Sequence, residues 1–545
     1  MLGLERRQGA LARFVAEVSD PGSARYGHYL PVEDVSRRFG ASPKTRRAVL
    51  AYLRRRGIDA RIDPTGTFAE ARMRVDEASR LFSPRLPARL RGRVTELLGL
   101  DTAPAIGPVA PPRTPSSAAA AASGSEDGEG SGTLPIPPRP GTPHGCEEGV
   151  DSGGFTPNQL VRAYHVDALH RRGVRGQDAR VALVEWGGGS RSDLRTFVRC
   201  FDLGMPRRFR EIPLDGKEPL DPNGEAVSDA EVIAAIAPRL RRLEMFEIDA
   251  GDTIAQSSAT LPRLFAAPLD RGRHSPLPDV ISSSLGNCEQ QVVEGPRRVL
   301  LATEHVLMSA AAAGVTVVSG AGDWGSTGCV DDSAEIEQPP QKAVFYPASS
   351  RFVTAVGGTF LDLSRHNRIQ HERVWNDTLY SSTALLGGGG GVSRVLGRPG
   401  WQRGPGVDRT RPRHGRAVPD VSYFADGVPG YALYCSVPNC EEAGLPAWNT
   451  LGGTSFATPL LGAGLALVNQ DLRRHGQGPI GFANPLIYRL ARDAGGSRGP
   501  VFRDVRRTDN DVSGVGCCDA RRNFDAASGW GSLDLFRFAR AAGGS

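Results

Sequence analysis

The sequence predicts an α/β protein in which a large domain built on a parallel β-sheet follows a smaller α+β domain. Its 545 residues exceed the length of one ordinary domain and provide ample material for a large core. In the second part of the chain, short apolar runs rich in β-branched residues end near glycine-rich turns and alternate with helical stretches. These runs are residues 181–184, 280–282, 315–318 and 352–356. Strands of a parallel sheet end in this way where they carry functional loops.

Residues 1–102 contain the signals of the small α+β domain. Ser42 and Pro43 are placed as the cap and the first-turn proline of a helix, and Gly57 ends that helix. The apolar residues at 69, 71, 73 and 75 alternate with charged residues, which predicts a strand with one apolar face. Asp76 is placed to cap a further helix.

Residues 103–150 have the composition of a linker. A proline-rich segment is followed by alanine, serine, glycine and acidic residues, which cannot bury enough apolar surface to offset the entropy cost of ordering. Such a backbone is accessible to proteases. We therefore predict a disordered linker between residues 1–102 and a second domain at residues 151–545.

Two further features belong to the large domain. A helix that begins near Ser455 continues through Leu460, Leu461 and Leu465. Gly387 to Gly391 lack the lysine and the helix of a phosphate-binding loop. We interpret these glycines as a flexible loop and not as a nucleotide site.

Charge and hydropathy argue against several function classes. The net charge is +6, and the basic residues are scattered arginines with three lysines, Lys44, Lys217 and Lys342, which gives little support to nucleic-acid binding. No run of about 18 apolar residues predicts a membrane span. The first eight residues lack the apolar core of a secretory signal.

The eight cysteines lack the paired spacings of a zinc site. They are Cys146, Cys200, Cys288, Cys329, Cys435, Cys440, Cys517 and Cys518. Cys435 and Cys440 could staple a hairpin, and Cys288 with Cys329 would link loops that follow two strands. For Cys200, a free buried thiol is equally compatible with the sequence. The connectivity is not fixed by the spacing.

Two motifs that lie more than two hundred residues apart together indicate a hydrolytic chemistry. The segment Gly452-Gly453-Thr454-Ser455 places a serine at the start of a helix, after glycines that let a substrate approach the backbone. Glu225 and Asp229 project from one helix face, where one acid could accept a proton and the second could support it. Alone, the pair would be a solvated helix face and the serine would be a helix cap.

Most serine hydrolases use a histidine as the base, so each histidine is a candidate. The ten histidines are His28, His144, His165, His170, His274, His305, His366, His371, His414 and His475. None lies in the glycine- and threonine-rich setting of a catalytic histidine helix. The base that serves Ser455 is therefore predicted to be an acid.

With these motifs, the chain resembles the sedolisin family of serine-carboxyl peptidases, and its kumamolisin-like members in particular. The shared landmarks occur in the same order and spacing over nearly the whole chain, at residues 156–164, 181–189, 224–229, 279–286, 314–323, 374–377, 418–421 and 452–455. The resemblance implies a subtilisin-like α/β sandwich with a parallel sheet, preceded by a small α+β, ferredoxin-like activation propeptide whose signature matches residues 20–30. Relatives have an extended strand before the first propeptide helix, and we expect this strand to be missing here.

The resemblance also implies the catalytic roles. Ser455 is the nucleophile, Glu225 is its general base, and Asp229 orients and tunes Glu225. Asp323, in a glycine-flanked turn, contributes to the oxyanion hole and must be neutral, because an ionised carboxylate has no proton to donate. Glu185 matches a further acid of this network. A glutamate still accepts a proton at pH about 4, where a histidine is already protonated.

A calcium ion is the cofactor that the resemblance implies, with one ion per catalytic domain. The family binds it through two aspartates and three backbone carbonyls, and hard oxygen ligands of this kind suit Ca²⁺. The matching positions are Asp504, Val505, Arg521, Asn523 and Asp525. Arg521 and Asn523 replace family glycines, which keeps the carbonyls and puts the backbone angles in question.

The function implied is that of an acid-active endopeptidase that cleaves peptides or proteins through an acyl-enzyme on Ser455. We expect a secreted monomer, made as a self-processing precursor that is inhibited by its own propeptide and cut within the linker. Leu285 replaces the family's usual aromatic residue, so the wall of the binding cleft should be smaller and more aliphatic. The alternatives are an inactive secreted binding or scaffold protein with the same fold, and a tripeptidyl exopeptidase.

Overall fold

The computed structural model describes most of both predicted domains. The described residues are 1–73, 75–82, 86–98, 141–216, 218–251, 254–271, 275–294, 297–329, 340–381, 384–442, 444–497 and 499–544. Residues 103–140 of the predicted linker lie outside this set.

The N-terminal domain packs helices against a four-stranded antiparallel sheet with the order β2-β3-β1-β4. Its elements are β1 Leu2–Leu4, α1 Gln8–Ser19, α2 Val32–Phe39, α3 Pro43–Arg54, β2 Ala60–Ile62, β3 Phe68–Ala71, α4 Val75–Phe82 and β4 Val94–Leu97. Strand β1 precedes α1 and lies between β3 and β4, so the expectation that this strand is missing is wrong. All three of its residues are buried, and a strand this short shows no alternating pattern in the sequence.

The local signals of this domain place its elements closely. The Ser42 side chain accepts a hydrogen bond from the Thr45 backbone N–H at 3.1 Å, which caps α3. The alternating segment does form β3, but the strand ends at Ala71 and α4 begins at Val75. Asp76 lies in the first turn of α4, and its side chain, predicted to cap this helix, is outside the described set.

The second domain contains the remaining elements. Its first half has α5 Glu147–Asp151, α6 Pro157–Ala163, α7 Val166–Arg171, β5 Arg180–Glu185, α8 Arg191–Cys200, β6 Phe209–Pro213, α9 Gly224–Ile236, β7 Arg242–Glu247 and α10 Ile254–Ala266. Next come β8 Val280–Ser283, β9 Asn287–Cys288, α11 Glu289–Glu294, α12 Arg297–Ala312, β10 Thr316–Gly320, β11 Phe345–Tyr346, β12 Thr354–Leu363, β13 Ile369–Val374, β14 Gly391–Gly397 and β15 Gly415–Val418. The last are β16 Val421–Phe424, β17 Tyr431–Tyr434, α13 Pro438–Glu442, β18 Trp448–Leu451, α14 Thr454–Arg474, α15 Asn484–Asp493, β19 Phe502–Arg503, β20 Ser532–Leu533 and α16 Leu535–Ala542.

An eight-stranded sheet organises this domain. The strand order is β13-β12-β10-β8-β5-β7-β6, and β16 also pairs with β12. All of these pairings are parallel except that of β13 with β12, which is antiparallel, so the predicted parallel sheet is confirmed. Along β5, Val181 and Leu183 face a core with α9 and α14, whereas Ala182 and Val184 face a second core with α10 and α12. Helices thus cover both faces, as a buried parallel sheet requires.

The second domain begins earlier than the predicted boundary at residue 151. The Thr142 backbone N–H donates to Asn367 Oδ1 at 2.6 Å, and Cys146 is disulfide-bonded to Cys200. Residues 141–150 therefore pack on the second domain and are not part of a disordered linker. Glycine-rich and acidic composition hid the anchoring contacts, which join residues distant in sequence.

All eight cysteines are paired. The disulfides are Cys146–Cys200, Cys288–Cys329, Cys435–Cys440 and Cys517–Cys518. The two pairings considered from the sequence are present, whereas the free thiol considered for Cys200 is not.

The N-terminal domain docks on α12 of the second domain. Helices α1 and α2 pack against α12. The Tyr29 hydroxyl donates to the Ile480 carbonyl at 2.8 Å, and the Leu30 N–H donates to the Ala312 carbonyl at 3.0 Å. Across the same boundary, Arg263 pairs with Glu70 at 3.7 Å. The contact is therefore both apolar and polar.

Within the described part of the chain, none of the helices combines the length and apolar character needed to cross a membrane.

Candidate active site

The two acids predicted to serve the nucleophile lie on α9. Asn223 caps this helix by accepting a hydrogen bond from the Ala226 N–H at 2.9 Å. Glu225 and Asp229 follow one turn apart, and α9 packs against α14. Asp229 is fully buried and Glu225 is half-buried, so the pair is not a solvated helix face.

The predicted nucleophile lies in the first turn of α14. Gly453, with φ of 141°, turns the chain into the helix in a conformation that a side chain would strain. Ser455 follows and is half-buried. Its hydroxyl lies close enough to Glu225 to lower the pKa of that carboxyl, so the structure brings the predicted nucleophile and base together.

Pro459 shapes this first turn because it has no N–H for the carbonyl four residues earlier, that of Ser455. The Ser284 hydroxyl lies 3.1 Å from this free carbonyl. The same hydroxyl lies 2.8 Å and 3.0 Å from the two Asp229 carboxylate oxygens. Ser284 thus joins α9, α14 and the end of β8. Sequence reasoning missed this residue, although a serine after a parallel strand is a recognisable signal.

Asp323, the predicted oxyanion-hole acid, follows β10 and faces the same helix start. Its Oδ1 accepts hydrogen bonds from Thr454 N–H at 2.7 Å and Thr454 Oγ1 at 2.8 Å. A Cβ at Gly453 would lie 3.0 Å from Asp323 Oδ2, so a side chain there would crowd the second oxygen. Oδ2 is the oxygen left to face a substrate.

The glycines interpreted as a flexible loop are part of this site, which corrects the sequence prediction. Gly387 N–H donates to the Asp323 carbonyl at 2.8 Å, and Gly389 N–H donates to the Gly322 carbonyl at 2.7 Å. A Cβ at Gly389 would lie 2.0 Å from the Ala321 carbonyl oxygen. Glycine is needed here for close backbone packing around the turn that carries Asp323.

Burial without a cationic partner controls the electrostatics of the acids. Burial raises the pKa of Glu225 to about 7; the nearby hydroxyls of Ser455 and Ser284 oppose this shift, and the Asp323 charge adds to it. Burial, followed by the charge of Glu225, raises the pKa of Asp229 well above its usual range. Burial also raises the pKa of Asp323, against two hydrogen bonds from Thr454.

Glu185 joins this group from the end of β5. It is fully buried, and burial together with the charges of Asp229 and Glu225 raises its pKa well above its usual range. Neither of its carboxylate oxygens has a hydrogen-bond partner within the described structure. Among the described residues, the charged groups that act on these acids are other carboxylates. A group of this kind holds protons and shares them.

The five residues matched to a calcium site also come together. Asp504 Oδ2 accepts from the Asn523 N–H at 3.2 Å and from Arg506 Nε at 2.6 Å, whereas the buried Oδ1 has no partner within the described structure. Asp525 Oδ2 accepts from the Arg521 N–H at 2.7 Å. Val505 adjoins Asp504 in the chain and is fully buried.

The backbone angles at Arg521 and Asn523, which replace two family glycines, are compatible with non-glycine residues. Asn523 has φ of 63°, a left-handed conformation that asparagine tolerates. Arg521 is not among the described residues with positive φ, so no glycine is required there. Burial raises the pKa of Asp525 to about 7. An unpartnered buried carboxylate oxygen beside a second buried acid fits a hard cation.

Comparison with known proteins points to one family. The model of the family described as "Pro-kumamolisin, activation domain" matches residues 2–87. Kumamolisin from Bacillus sp. (strain MN-32) is 31% identical over 390 residues, which cover 69% of this chain and 60% of kumamolisin. The match thus spans less than two thirds of that relative's length. Tripeptidyl-peptidase 1 from Canis lupus familiaris is 27% identical over 554 residues, which cover 96% of this chain and 87% of that protein.

A solved structure shows the same fold. Pseudomonas sedolisin, a serine-carboxyl proteinase complexed with two molecules of pseudo-iodotyrostatin, gives a TM-score of 0.58 at 23% identity and covers 72% of this chain and 99% of its own. The similarity concerns the α/β architecture, and it agrees with the predicted fold class. From the family match, the relatives and the shared fold together, the chain belongs to the sedolisin family of serine-carboxyl peptidases and carries its N-terminal activation domain.

Proposed function

We propose that the chain is the precursor of an acid-active endopeptidase that cleaves peptide bonds through an acyl-enzyme on Ser455. The observation that carries this proposal is the position of the Ser455 hydroxyl beside Glu225, within a group of buried acids. The described part of the site places no histidine beside that serine. An acid is therefore the available base, and the inactive-scaffold alternative loses support because all four chemical positions are in place.

The geometry supports a two-step acyl transfer. Ser455 Oγ attacks the peptide carbonyl carbon while Glu225 takes the hydroxyl proton, and Asp229 tunes the basicity of Glu225. Protonated Asp323 donates from Oδ2 to the developing oxyanion. Glu225 then returns the proton to the leaving amine, which departs and leaves an ester on Ser455. Water hydrolyses this ester with Glu225 as base again, which releases the acid product and restores the serine.

This chemistry needs two opposite protonation states at once. Glu225 must accept a proton, whereas Asp323 must keep one. Burial raises the pKa of Glu225 to about 7 and raises the pKa of Asp323 above its ordinary value, so the state with Glu225 ionised and Asp323 neutral is a minor one whose population is largest between the two pKa values. Activity should therefore have its maximum between about pH 4 and pH 6.

A tripeptidyl exopeptidase is the second candidate, because tripeptidyl-peptidase 1 aligns with 96% of this chain. The two activities differ in their products. An endopeptidase cuts an N-terminally blocked peptide internally, whereas a tripeptidyl peptidase releases three-residue pieces from a free N-terminus.

Leu285 was expected to form a wall of the binding cleft. Its side chain is only 7% exposed and packs in the core beside β8, so it does not form an open cleft wall.

We propose that the N-terminal domain inhibits the enzyme until the chain cuts itself. Its docking on α12 and the cross-domain pair of Glu70 with Arg263 support this role. Residues 141–150 are packed on the second domain, so the cut is expected between residues 103 and 140.

Calcium is proposed as a structural ion. Asp504 and Asp525 would bind it with the carbonyls of Val505, Arg521 and Asn523, and the unpartnered Asp504 oxygen supports the assignment. The described residues hold no cluster of three or more His, Cys, Asp or Glu side chains suited to a metal, so a site here depends on backbone carbonyls. The positive ion would hold these segments together electrostatically and would take no part in the chemistry at Ser455.

The paired cysteines support export, because disulfides persist in oxidising compartments. We propose that the enzyme is secreted and monomeric.

The activity is tested with an N-terminally blocked fluorescent peptide and a denatured protein, digested from pH about 3 to about 8. We expect internal cleavage in acid by the acid-treated wild-type chain and no cleavage by a Ser455→Ala chain treated in the same way. Product masses decide between the two candidates. Three-residue products from free N-termini, with the blocked peptide intact, would replace the endopeptidase by the exopeptidase. Equal activity of the Ser455→Ala chain would refute both.

A further inference from the structure

Glu247 lies at the end of β7, directly beside Glu185 at the end of β5. The two residues are register partners on adjacent parallel strands, so their side chains share one face of the sheet. Two residues earlier on each strand, Leu183 and Met245 contribute to the core that contains Ile233 of α9. Glu185 and Glu247 therefore project on the side of the sheet where α9 carries the catalytic acids.

No cation among the described residues neutralises either glutamate. Both are 0% exposed. Glu247 Oε2 accepts a hydrogen bond from the Leu220 N–H at 3.0 Å, whereas its Oε1 has no hydrogen-bond partner among the described residues. Two adjacent buried carboxyl groups cannot both be ionised at low cost, so they share a proton.

We propose that Glu247 is a positioning residue that extends the chain of carboxyl groups behind the nucleophile and keeps Glu185 protonated. The chain then consists of Ser455, Glu225, Asp229, Glu185 and Glu247. A neutral Glu185 can donate a hydrogen bond to Asp229 and so stabilise the negative charge that Asp229 places behind Glu225. This proposal rests on the proposed function.

The titration of Glu247 agrees with this role. Burial raises the pKa of Glu247 to about 7, the Leu220 N–H lowers it, and the charge of Glu211 raises it. Glu211, on β6 at the next step outward across the sheet, is itself half-buried with a raised pKa caused first by burial. When Glu247 ionises, its charge opposes ionisation of Glu185, whose pKa it raises.

The test is the pH profile of kcat/KM for Glu247→Gln, which removes the charge and keeps the shape. We expect the alkaline limb to move to lower pH by at least about half a unit, with the maximum kcat reduced less than about threefold. Glu247→Asp should restore the limb, and Asp249→Asn, an exposed acid two residues further on, is the matched control. An unchanged profile, or a kcat lowered equally at every pH, would overturn the role.

A measurement that needs no activity separates this proposal from the function. In a Ser455→Ala background, the melting temperature should fall less between pH 4.5 and pH 7 when Glu247 is glutamine, because an acid with a raised pKa destabilises the fold as the pH rises through that range. An equal pH dependence with and without Glu247 would refute the titrating chain even if the enzyme were inactive.

A second inference rests on a different observation, at the contact between the domains. Leu301, His305, Met308 and Ala312 recur along one face of α12. The N-terminal domain covers this face at both ends, because Arg6 Nη2 donates to the Leu301 carbonyl at 3.1 Å and the Leu30 N–H donates to the Ala312 carbonyl. His305 lies between these contacts and is 0% exposed.

The His305 ring is buried without hydrogen bonds. Neither ring nitrogen has a partner in the described structure. The charge that acts on the ring is the Arg6 guanidinium, which pairs with Glu96 at 3.1 Å. Other charged groups on α12 and on the helices packed against it interact with partners other than His305. The contacts are Glu17 with Arg25, Asp34 with Arg37, Arg38 with the Phe14 ring, Glu289 with Ser393, Arg263 with Asp215 and Glu304 with Arg351.

We infer that His305 is an acid-sensitive release point, whose protonation requires the N-terminal domain to leave α12. Burial lowers the pKa of His305 to about 3, and Arg6 lowers it further. A histidine freed by separation of the domains would titrate near its ordinary value of about 6.5. The docked state is therefore fully favoured above about pH 6.5 and weakens about tenfold for each unit below it, or about 300-fold by pH 4. This regulation deepens the proposed inhibition.

The test follows hydrogen exchange of α1 and α12 in the full Ser455→Ala chain from pH 7 to pH 4, corrected for the intrinsic rate. We expect protection to be lost in acid, and His305→Leu and His305→Gln to keep it to a pH at least one unit lower. His366→Gln, at an exposed histidine, should behave as the parent. A midpoint unchanged in both His305 variants, or protection already absent in both at pH 7, would overturn the inference. Because the readout is domain separation, an inactive enzyme would not affect it.

Discussion

The second domain buries acids in two ways. Asp420, between β15 and β16, pairs with Arg416, and both side chains are 0% exposed. Asp420 also accepts hydrogen bonds from the Ala355 N–H at 2.8 Å, Asn484 Nδ2 at 3.0 Å and the Tyr488 hydroxyl at 2.7 Å. Burial alone would lower the pKa of Arg416, but the Asp420 carboxylate raises it, so the guanidinium stays charged beside this acid.

The active-site acids have the opposite environment. Glu185 and Asp229 are as deeply buried as Asp420, but the described charges around them are those of other carboxylates. Burial and these charges together raise the pKa values of Glu185 and Asp229. The difference shows that a buried acid paired with a cation has a structural role. A buried acid without a cation has a raised pKa and holds a proton.

The largest effect that this comparison predicts is on turnover at the acid group. Glu225→Gln should lower kcat by about 10²- to 10⁴-fold, because glutamine cannot accept the Ser455 proton. The fold should persist, and at pH 7 it should be more stable than the wild type. The raised pKa of Glu225 means that its stabilising contribution is present below about pH 4.5 and is lost as the pH rises toward 7.

Thermal unfolding and kinetics of the same preparation check this prediction. Ser228→Ala, on the same helix, is the matched control, since that hydroxyl only caps the Glu225 carbonyl at 2.9 Å. Turnover by Glu225→Gln within a factor of two of the control would remove Glu225 from the mechanism.

Breaking the pair of Asp420 with Arg416 should change the stability of the fold and not the catalytic reaction. Arg416→Leu leaves Asp420 buried without its cation, which should cost about 3–5 kcal/mol of unfolding free energy. The pH profile of the folded fraction should keep its shape. Denaturant unfolding measures the first effect, and a shifted pH optimum would contradict the separation of the two regions.

A smaller effect is expected at the oxyanion site. Asp323→Asn keeps an N–H donor and loses the titrating proton, so activity should fall about tenfold, less than the loss of about 10²- to 10³-fold for removal of a donor. The alkaline limb should move to higher pH or disappear, because asparagine does not ionise. Asp323→Ala should show the larger loss, and equal activities of the two variants would exclude donation by residue 323.

The smallest effect concerns the proposed calcium ion. A chelator should lower the melting temperature by a few degrees, by mass action on a ligand that binds the folded state. Asp504→Asn should melt at the chelated temperature and lose the response to added Ca²⁺. Identical melting of the wild type with and without chelator would exclude the site, while the acid chemistry would be unaffected.

The sequence predicted the parts of the molecule that depend on local pattern. Strand runs, the cap at Ser42 and the helix start at Ser455 are local, and the structure has them. Glu225 and Asp229 were predictable because their spacing alone places them on one helix face.

Contacts between distant segments were not predictable. Ser284, the backbone packing of Gly387 and Gly389, and the pairing of Glu247 with Glu185 depend on which loops and strands meet. The short β1 strand shows no periodicity, and the anchoring of residues 141–150 depends on a disulfide to residue 200. In each case tertiary packing, and not local preference, decides the role.

The pH profile of the mature enzyme tests the central claim most directly, since an unpaired group of buried acids is the feature that sets this site apart. After acid processing, kcat/KM should be measured on one peptide from pH about 3 to about 8, with Ser455→Ala as the blank. We expect a maximum between about pH 4 and pH 6, with loss on the alkaline side as Asp323 and the acids behind Glu225 ionise. A maximum near pH 8 would contradict it, because the oxyanion-hole acid would then be charged.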